Sequence, residues 1–266
     1  MCLLVVVSRL DPGAPLVVGA NRDERLDRPA AAMTVLRPAD PRILGGRDEE
    51  AGGTWLAVNE HGVVAGLTNR PSPEGRDPAK RSRGELPLAL AAHRDASSAV
   101  EDFVARCSPS RYNPAWLLVG DRTSLYALDM TGSVEDLPLV EALHPGVHIL
   151  ENTALHTPSP KADHVRALLG DTSALAGENL VDRLRSVLGD HTIPVTTGPE
   201  PEDEVPGRGP RPVETLAACV HTETYGTRSS TLVRVPAPSS RHPQVLVADG
   251  HPCTSAYVDM TDLFQA

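Results

Sequence analysis

The sequence predicts a layered α+β fold, and three observations carry that reading. Apolar, β-branched-rich runs bounded by turn residues occur as hairpins at the start of the chain and again towards its end. Segments with helical apolar spacing are grouped between those hairpins, and strands do not alternate singly with helices as a parallel β-α-β chain requires. Hydrophobic residues at 40% and charged residues at 23% are those of a globular chain. The 266 residues are read as a single domain, 1–266. With only two Trp, four Tyr and two Phe, its core must come mainly from Val, Leu, Ile and Ala.

The first element is Cys2-Leu3-Leu4-Val5-Val6-Val7-Ser8, a continuous apolar run that reads as a strand buried on both faces. Asp11-Pro12-Gly13 turns the chain into a second run from Pro15 to Ala20, completing a hairpin. Irregular, proline-containing chain is expected next. A second hairpin then pairs Trp55–Val58 with Val63–Leu67 across Asn59-Glu60-His61-Gly62, and Arg70 to Arg83 reads as a charged loop. Asp95 or Ser97 caps a helix carrying Ala99, Val100, Phe103, Val104 and Cys107. Strands are expected at Ala115–Val119 and Leu125–Met130, and a helix follows Ser159-Pro160. A further helix carries Leu180, Val181, Leu184, Val187 and Leu188 and stops at Gly189. Residues 194–212 read as a proline-rich acidic loop. Strands are expected at Leu216–His221, Thr231–Val235, Val245–Ala248 and Ala256–Met260.

Charge and motif content exclude several functions. A net charge of −10 argues against a nucleic-acid partner. No apolar run approaches the roughly 18 residues of a membrane span, and Leu3–Val7 is too short for a signal-peptide core, so a cytoplasmic protein is expected. The sequence has no phosphate-binding loop, dinucleotide fingerprint, zinc-protease helix or serine-nucleophile elbow. Neither a cofactor nor a metal is expected, because the four cysteines and ten histidines show no ligand spacing. Cys107 and Cys219 read as small core residues, His61 and His221 show no partner in sequence, and the closeness of His251 and Cys253 reads as incidental. Trp55 and Trp116 read as core anchors. The oligomeric state is not encoded in any pattern.

The feature that carries chemistry is Cys2. Cysteine is small enough for the initiator methionine to be removed, which would free an α-amine titrating near ~8 beside the thiol. One residue then supplies both nucleophile and base. Such a thiol, beside an amine and an arginine, is expected to have a lowered pKa and to react first with an electrophile. The hairpin returns Asn21-Arg22-Asp23-Glu24 to the neighbourhood of Cys2. There Asp23 is expected to hold the amine, and Asn21 and Arg22 to bind substrate.

These residues carry a resemblance. Met1-Cys2-Leu3-Leu4, Asn21-Arg22-Asp23-Glu24, Gly52-Gly53-Thr54-Trp55-Leu56, Ala65-Gly66-Leu67-Thr68-Asn69 and Tyr225-Gly226-Thr227-Arg228-Ser229-Ser230-Thr231 resemble the NRDE-motif family in order. The same holds for Ser82-Arg83-Gly84-Glu85-Leu86 and Pro160-Lys161. That family, also called the transport and Golgi organisation protein two family, resembles the N-terminal-nucleophile hydrolases of the bile-salt hydrolase and penicillin V acylase type. The resemblance implies a four-layer αββα sandwich and cleavage of a non-peptide C–N amide. It implies Cys2 as nucleophile, Asp23 as the acid binding its amine and Asn69 as the oxyanion-hole donor. Asn152 is implied as the second orienting asparagine and Arg228 as the late arginine. The hydrolases carry an arginine where this chain has Ala20, and Arg22 is read as its substitute from the opposite side of the strand. A small-molecule amide is therefore the expected partner. The alternative is a carrier on the same fold for heme or an acyl lipid or acyl-CoA.

Overall fold

The computed structural model describes residues 2–72, 75–131, 135–171, 177–195, 212–237 and 241–265. The first expected hairpin is β1 (Cys2–Ser8) with β2 (Leu16–Arg25). Leu4 and Val6 of β1 enter one core, while Leu3, Val5 and Val7 enter another. Both faces of the strand are covered, which is why the run is apolar without alternation.

The rest of the chain builds two antiparallel sheets. After β3 (Ala30–Arg37) and β4 (Ile43–Asp48) come β5 (Leu56–Asn59), β6 (Val64–Asn69), β7 (Ala115–Gly120), β8 (Leu125–Asp129) and β9 (Leu139–Ala142). These seven form one sheet in sequence order. The other sheet adds β10 (Gly146–Leu150), β11 (Tyr225–Val235), β12 (Gln244–Asp249) and β13 (Val258–Asp259), in the order β10-β1-β2-β11-β12-β13. Leu4, Val18, Leu56, Val64, Leu118 and Val233 meet in the core between the sheets.

Helices cover the outer faces. α1 (Glu85–Leu90) and α2 (Ala96–Arg106) pack on the seven-stranded sheet through Leu86, Leu90, Ala99 and Phe103. α3 (Pro160–Leu169) and α4 (Glu178–Leu188) pack on the six-stranded sheet through Val165, Leu169, Leu184 and Leu188. The caps read from sequence form: Asp95 accepts from the Ser98 N–H and Ser159 from the Ala162 N–H. The layers are helix, sheet, sheet, helix.

The structure corrects several expectations. The chain between the first two hairpins is not irregular but supplies β3 and β4. In β4 a Cβ on Gly46 would lie 1.9 Å from the Trp55 ring, so the glycine that disguises the strand is there to admit the indole. Residues 216–221 are not a strand. Their buried backbone is satisfied by side chains and single partners instead: the Ala218 carbonyl accepts from Asn21, the Val220 N–H donates to Thr227 Oγ1, and the Cys219 N–H donates to the Asp190 carbonyl. β9 and β10 were hidden by Pro145 and Gly146 between short segments. Of the expected acidic loop, residues 196–211 lie outside the described residues.

Candidate functional site

Three neighbouring strands place one residue each in a polar row. Register opposes Cys2 of β1 to Arg22 of β2, and Arg22 to Ser229 of β11. Directly opposed residues share a face. Leu4 and Ala20, the next opposed pair on that face, lie in the core between the sheets, so the row faces the second sheet. Arg22 is 4% exposed; its guanidinium lies 4.4 Å from the Trp55 ring centroid, and Nη2 donates to Asp48 Oδ2 at 3.1 Å. Arg22 Nη1 and Ser229 Oγ are buried without a hydrogen-bond partner among the described residues. Leaving such groups unsatisfied costs about 1–3 kcal/mol each, and here two of them stand in line with a thiol.

Backbone contacts bring in the two asparagines. Asn152 follows β10, the other neighbour of β1. The Cys2 N–H donates to Asn152 Oδ1 at 3.3 Å, and Asn152 Nδ2 donates in turn to the Asn69 carbonyl at the end of β6. Asn152 therefore ties the nitrogen of Cys2, in one sheet, to the strand end of the other. Thr68, beside Asn69, also has a buried hydroxyl with no partner among the described residues.

Asp23 faces the helix layer. Its carboxylate accepts from Thr227 Oγ1 at 2.6 Å and lies 3.7 Å from Lys161 Nζ, with both charged side chains buried. Lys161 Nζ also donates to the Thr215 carbonyl at 3.3 Å, and Tyr225 donates from its hydroxyl to the Asp23 carbonyl at 2.7 Å. Asp48, which holds Arg22, is itself gripped by Arg28 at 2.7 and 3.0 Å. Burial alone would raise the Asp48 pKa, but hydrogen bonds from Arg28 and the Ala51 N–H hold it below the usual carboxylate value.

With Met1 in place, the thiol pKa is pushed up rather than down, against expectation. Burial raises Cys2; the positive chain terminus opposes it, Asp23 adds to the rise, and Arg22 and the Asp23 N–H oppose it more weakly. Removing water costs the thiolate more than the neighbouring positive charges return. Arg83 is a further cation near Cys2; burial, with Arg76, lowers it to about 10, while Cys2 and Glu24 act in the opposite direction.

The structure thus brings Cys2, Arg22, Asn69 and Asn152 together, with Asp23 anchored on the other face of β2. Arg22 does not come from the opposite side of the strand: two residues from Ala20, it shares that residue's face and Cys2's. Asn21 is not in the row. Its Nδ2 donates to the Leu188 and Ala218 carbonyls at 2.9 Å each, docking β2 on the end of α4 and on the segment before β11, while its Oδ1 is buried without a hydrogen-bond partner among the described residues. Arg228, at the bulge of β11, donates from Nη1 to the carbonyls of Arg25, Leu26 and Arg28 and braces the turn after β2. Sequence reasoning missed Lys161, Arg83 and Ser229, although all three stand in blocks that carry the resemblance. Their blocks were the available signal; their burial and facing were not.

A family model described as Transport and Golgi organisation 2 matches residues 1–242. The chain belongs to the Transport and Golgi organisation 2 family. The Transport and Golgi organization 2 homolog of Mus musculus is 30% identical over 244 residues, covering 84% of this chain and 82% of that protein. The Bos taurus homolog is 32% identical over 238 residues with the same coverage. Among solved structures, a Caenorhabditis elegans N-acylethanolamine-hydrolyzing acid amidase ortholog aligns with a TM-score of 0.52 at 12% identity, over 89% of this chain and 94% of that one. The fold of this Transport and Golgi organisation 2 member is that of the N-terminal-nucleophile hydrolases, an αββα sandwich.

Proposed function

We propose that this chain is an amidohydrolase of linear, non-peptide amides, with Cys2 as its N-terminal nucleophile once Met1 is removed. The observation that supports it best is the row of Cys2, Arg22 and Ser229, with the Cys2 nitrogen held by Asn152. In this reading the freed α-amine takes the thiol proton, and Asn152 Oδ1, already an acceptor for that nitrogen, keeps it oriented. The thiolate attacks the amide carbonyl. The Asn69 side-chain amide stabilises the oxyanion, a role worth a few kcal/mol in the transition state. The C–N bond breaks as the ammonium returns its proton to the departing amine, leaving a thioester on Cys2. Water, deprotonated by the same amine, then releases the acid. Arg22 Nη1 and Ser229 Oγ are suited to the polar part of the substrate. The N-acylethanolamine-hydrolyzing acid amidase ortholog that shares the fold makes N-acyl amides the first class to try.

The test has two measurements. Intact mass of the purified protein is expected to show loss of Met1, and a panel of fluorogenic N-acyl amides is expected to be turned over by wild type but not by Cys2→Ala. Retention of Met1 in nearly all molecules, or equal turnover by Cys2→Ala, would sink the hydrolase reading. A carrier for heme or acyl lipid needs no free amine, and ligand binding by a Met1-retaining protein would favour it.

A further inference from the structure

Away from the polar row, beside the C-terminus of α4, two short segments of mirrored spacing meet: Cys219-x-His221 and His251-x-Cys253. Gly189, which ends α4, packs on Cys253, and the Cys219 N–H donates to the Asp190 carbonyl. His221 Nε2 lies 3.4 Å from Cys219 Sγ and 3.3 Å from Cys253 Sγ, and the two sulfurs are 3.8 Å apart. The cysteines are free thiols.

These separations have a simple geometric reading. For a tetrahedral zinc ion with Zn–S near 2.3 Å and Zn–N near 2.0 Å, the edges come to about 3.8 Å between sulfurs and about 3.5 Å between sulfur and nitrogen. The three measured edges fit that triangle. A fourth donor is at hand: one ring nitrogen of His251 lies within 4.8 Å of donor atoms of Cys219 and His221. The His251 ring stacks on His221 with centroids 4.1 Å apart. Its Nδ1 is buried without a hydrogen-bond partner among the described residues. His191 reaches His221 and Cys253 from the exposed side. Ordinary packing gives no reason to gather two thiols and three imidazoles, since each gives up water for a weak partner. Sulfur and imidazole donors together suit a borderline-soft divalent ion.

We infer that Cys219, His221 and Cys253, with His251 or His191 as the fourth donor, form a binding site for a divalent transition-metal ion of the zinc class. Binding exchanges the two thiol protons, released to solvent, for the ion. Four protein ligands make a closed, structural site rather than a catalytic one. Its place explains a use. Val220, between two ligands, hydrogen-bonds Thr227 through both its N–H and its carbonyl, and Thr227 holds Asp23. The ion would pin the segment on which Asp23 rests.

The full chain, reduced and freed of metal with a chelator, is titrated with Co(II) and then with Zn(II) against a chromophoric competitor. The expected result is one ion per chain, with the thiolate charge-transfer band and the strong visible bands of tetrahedral cobalt. Cys253→Ser and His221→Asn, neither of them a buried residue, should fold as wild type by circular dichroism. Each should weaken zinc by more than the roughly 10–100-fold that loss of an outer-shell partner costs. Cys2→Ala and Cys107→Ala should leave it unchanged. Zinc should raise the Tm of wild type but not of Cys253→Ser. Octahedral cobalt spectra, wild-type affinity in Cys253→Ser, or a Cys219–Cys253 disulfide in protein purified without reductant would each overturn the site.

Discussion

Arg22 illustrates how much one side chain decides here. It is held by Asp48, stacked on Trp55, opposed to Cys2, and keeps a buried donor unspent. Arg22→Lys removes the planar fork that makes those contacts together, so it is expected to cut turnover while leaving the fold intact, checked by kcat/KM beside circular dichroism. Asn69→Ala is expected to lower kcat about 10²–10³-fold with little change in KM, the signature of an oxyanion donor. Lys161 makes a different prediction. Buried against Asp23, it neutralises a charge that has no access to water. Lys161→Met should cost about 3–5 kcal/mol in urea unfolding, because it removes the cation beside a buried carboxylate, and adding Asp23→Leu should recover much of the loss. Full cost retained in the double variant would mean that Lys161 acts through packing alone.

Elements convert these residues into a site. β2 works on both faces at once: Arg22 faces the space between the sheets, while Asn21 and Asp23 face α3 and α4. β4 contributes through an absence of side chain. Because a Cβ at Gly46 would fall inside the Trp55 ring, Gly46→Ala must move the indole that supports Arg22. The expected cost is about 1–3 kcal/mol of stability, with turnover falling further than stability alone explains. Parallel measurement of urea midpoints and kcat checks it, and unchanged values for both would mean that the strand yields instead of the ring.

Across the whole molecule, several carboxylates are more acidic folded than free. Burial opposes this at Asp48 and Asp121, but Arg28 and the Ala51 N–H prevail at the first, and the N–H groups of Ala96, Thr123 and Ser124 with the Thr123 hydroxyl prevail at the second. A carboxylate with a depressed folded pKa stabilises fully above its unfolded value, near ~3.9, and that stability is lost as pH falls through the folded value. Stability should therefore be flat from neutral pH to about 5 and decline below about 4. Urea midpoints measured down the pH scale test this, and Asp121→Asn should flatten the decline. At this scale the thiol is also tuned by layering: between covered faces, Cys2 loses water and its pKa rises. Iodoacetamide should label the Met1-bearing chain slowly at neutral pH, and faster once Met1 is removed.

The sequence alone determined the layered α+β class, the first hairpin, the caps at Asp95 and Ser159, and the ordered blocks around Cys2, Asn21–Glu24, Asn69 and Tyr225–Thr231. Those features are local: apolar runs, turn residues and short motifs depend on neighbours along the chain. Tertiary structure decided the rest. β3, β4, β9 and β10 carry glycines, prolines or charges that read as loop, and they form strands because partners satisfy their backbones. Only register could say that Arg22 shares a face with Cys2, that Asn21 points to the helix side, and that Lys161 neutralises Asp23. Only folding could bring Cys219-x-His221 against His251-x-Cys253. Facing and pairing are set by contacts between residues distant in sequence, and no pattern within a single window encodes them.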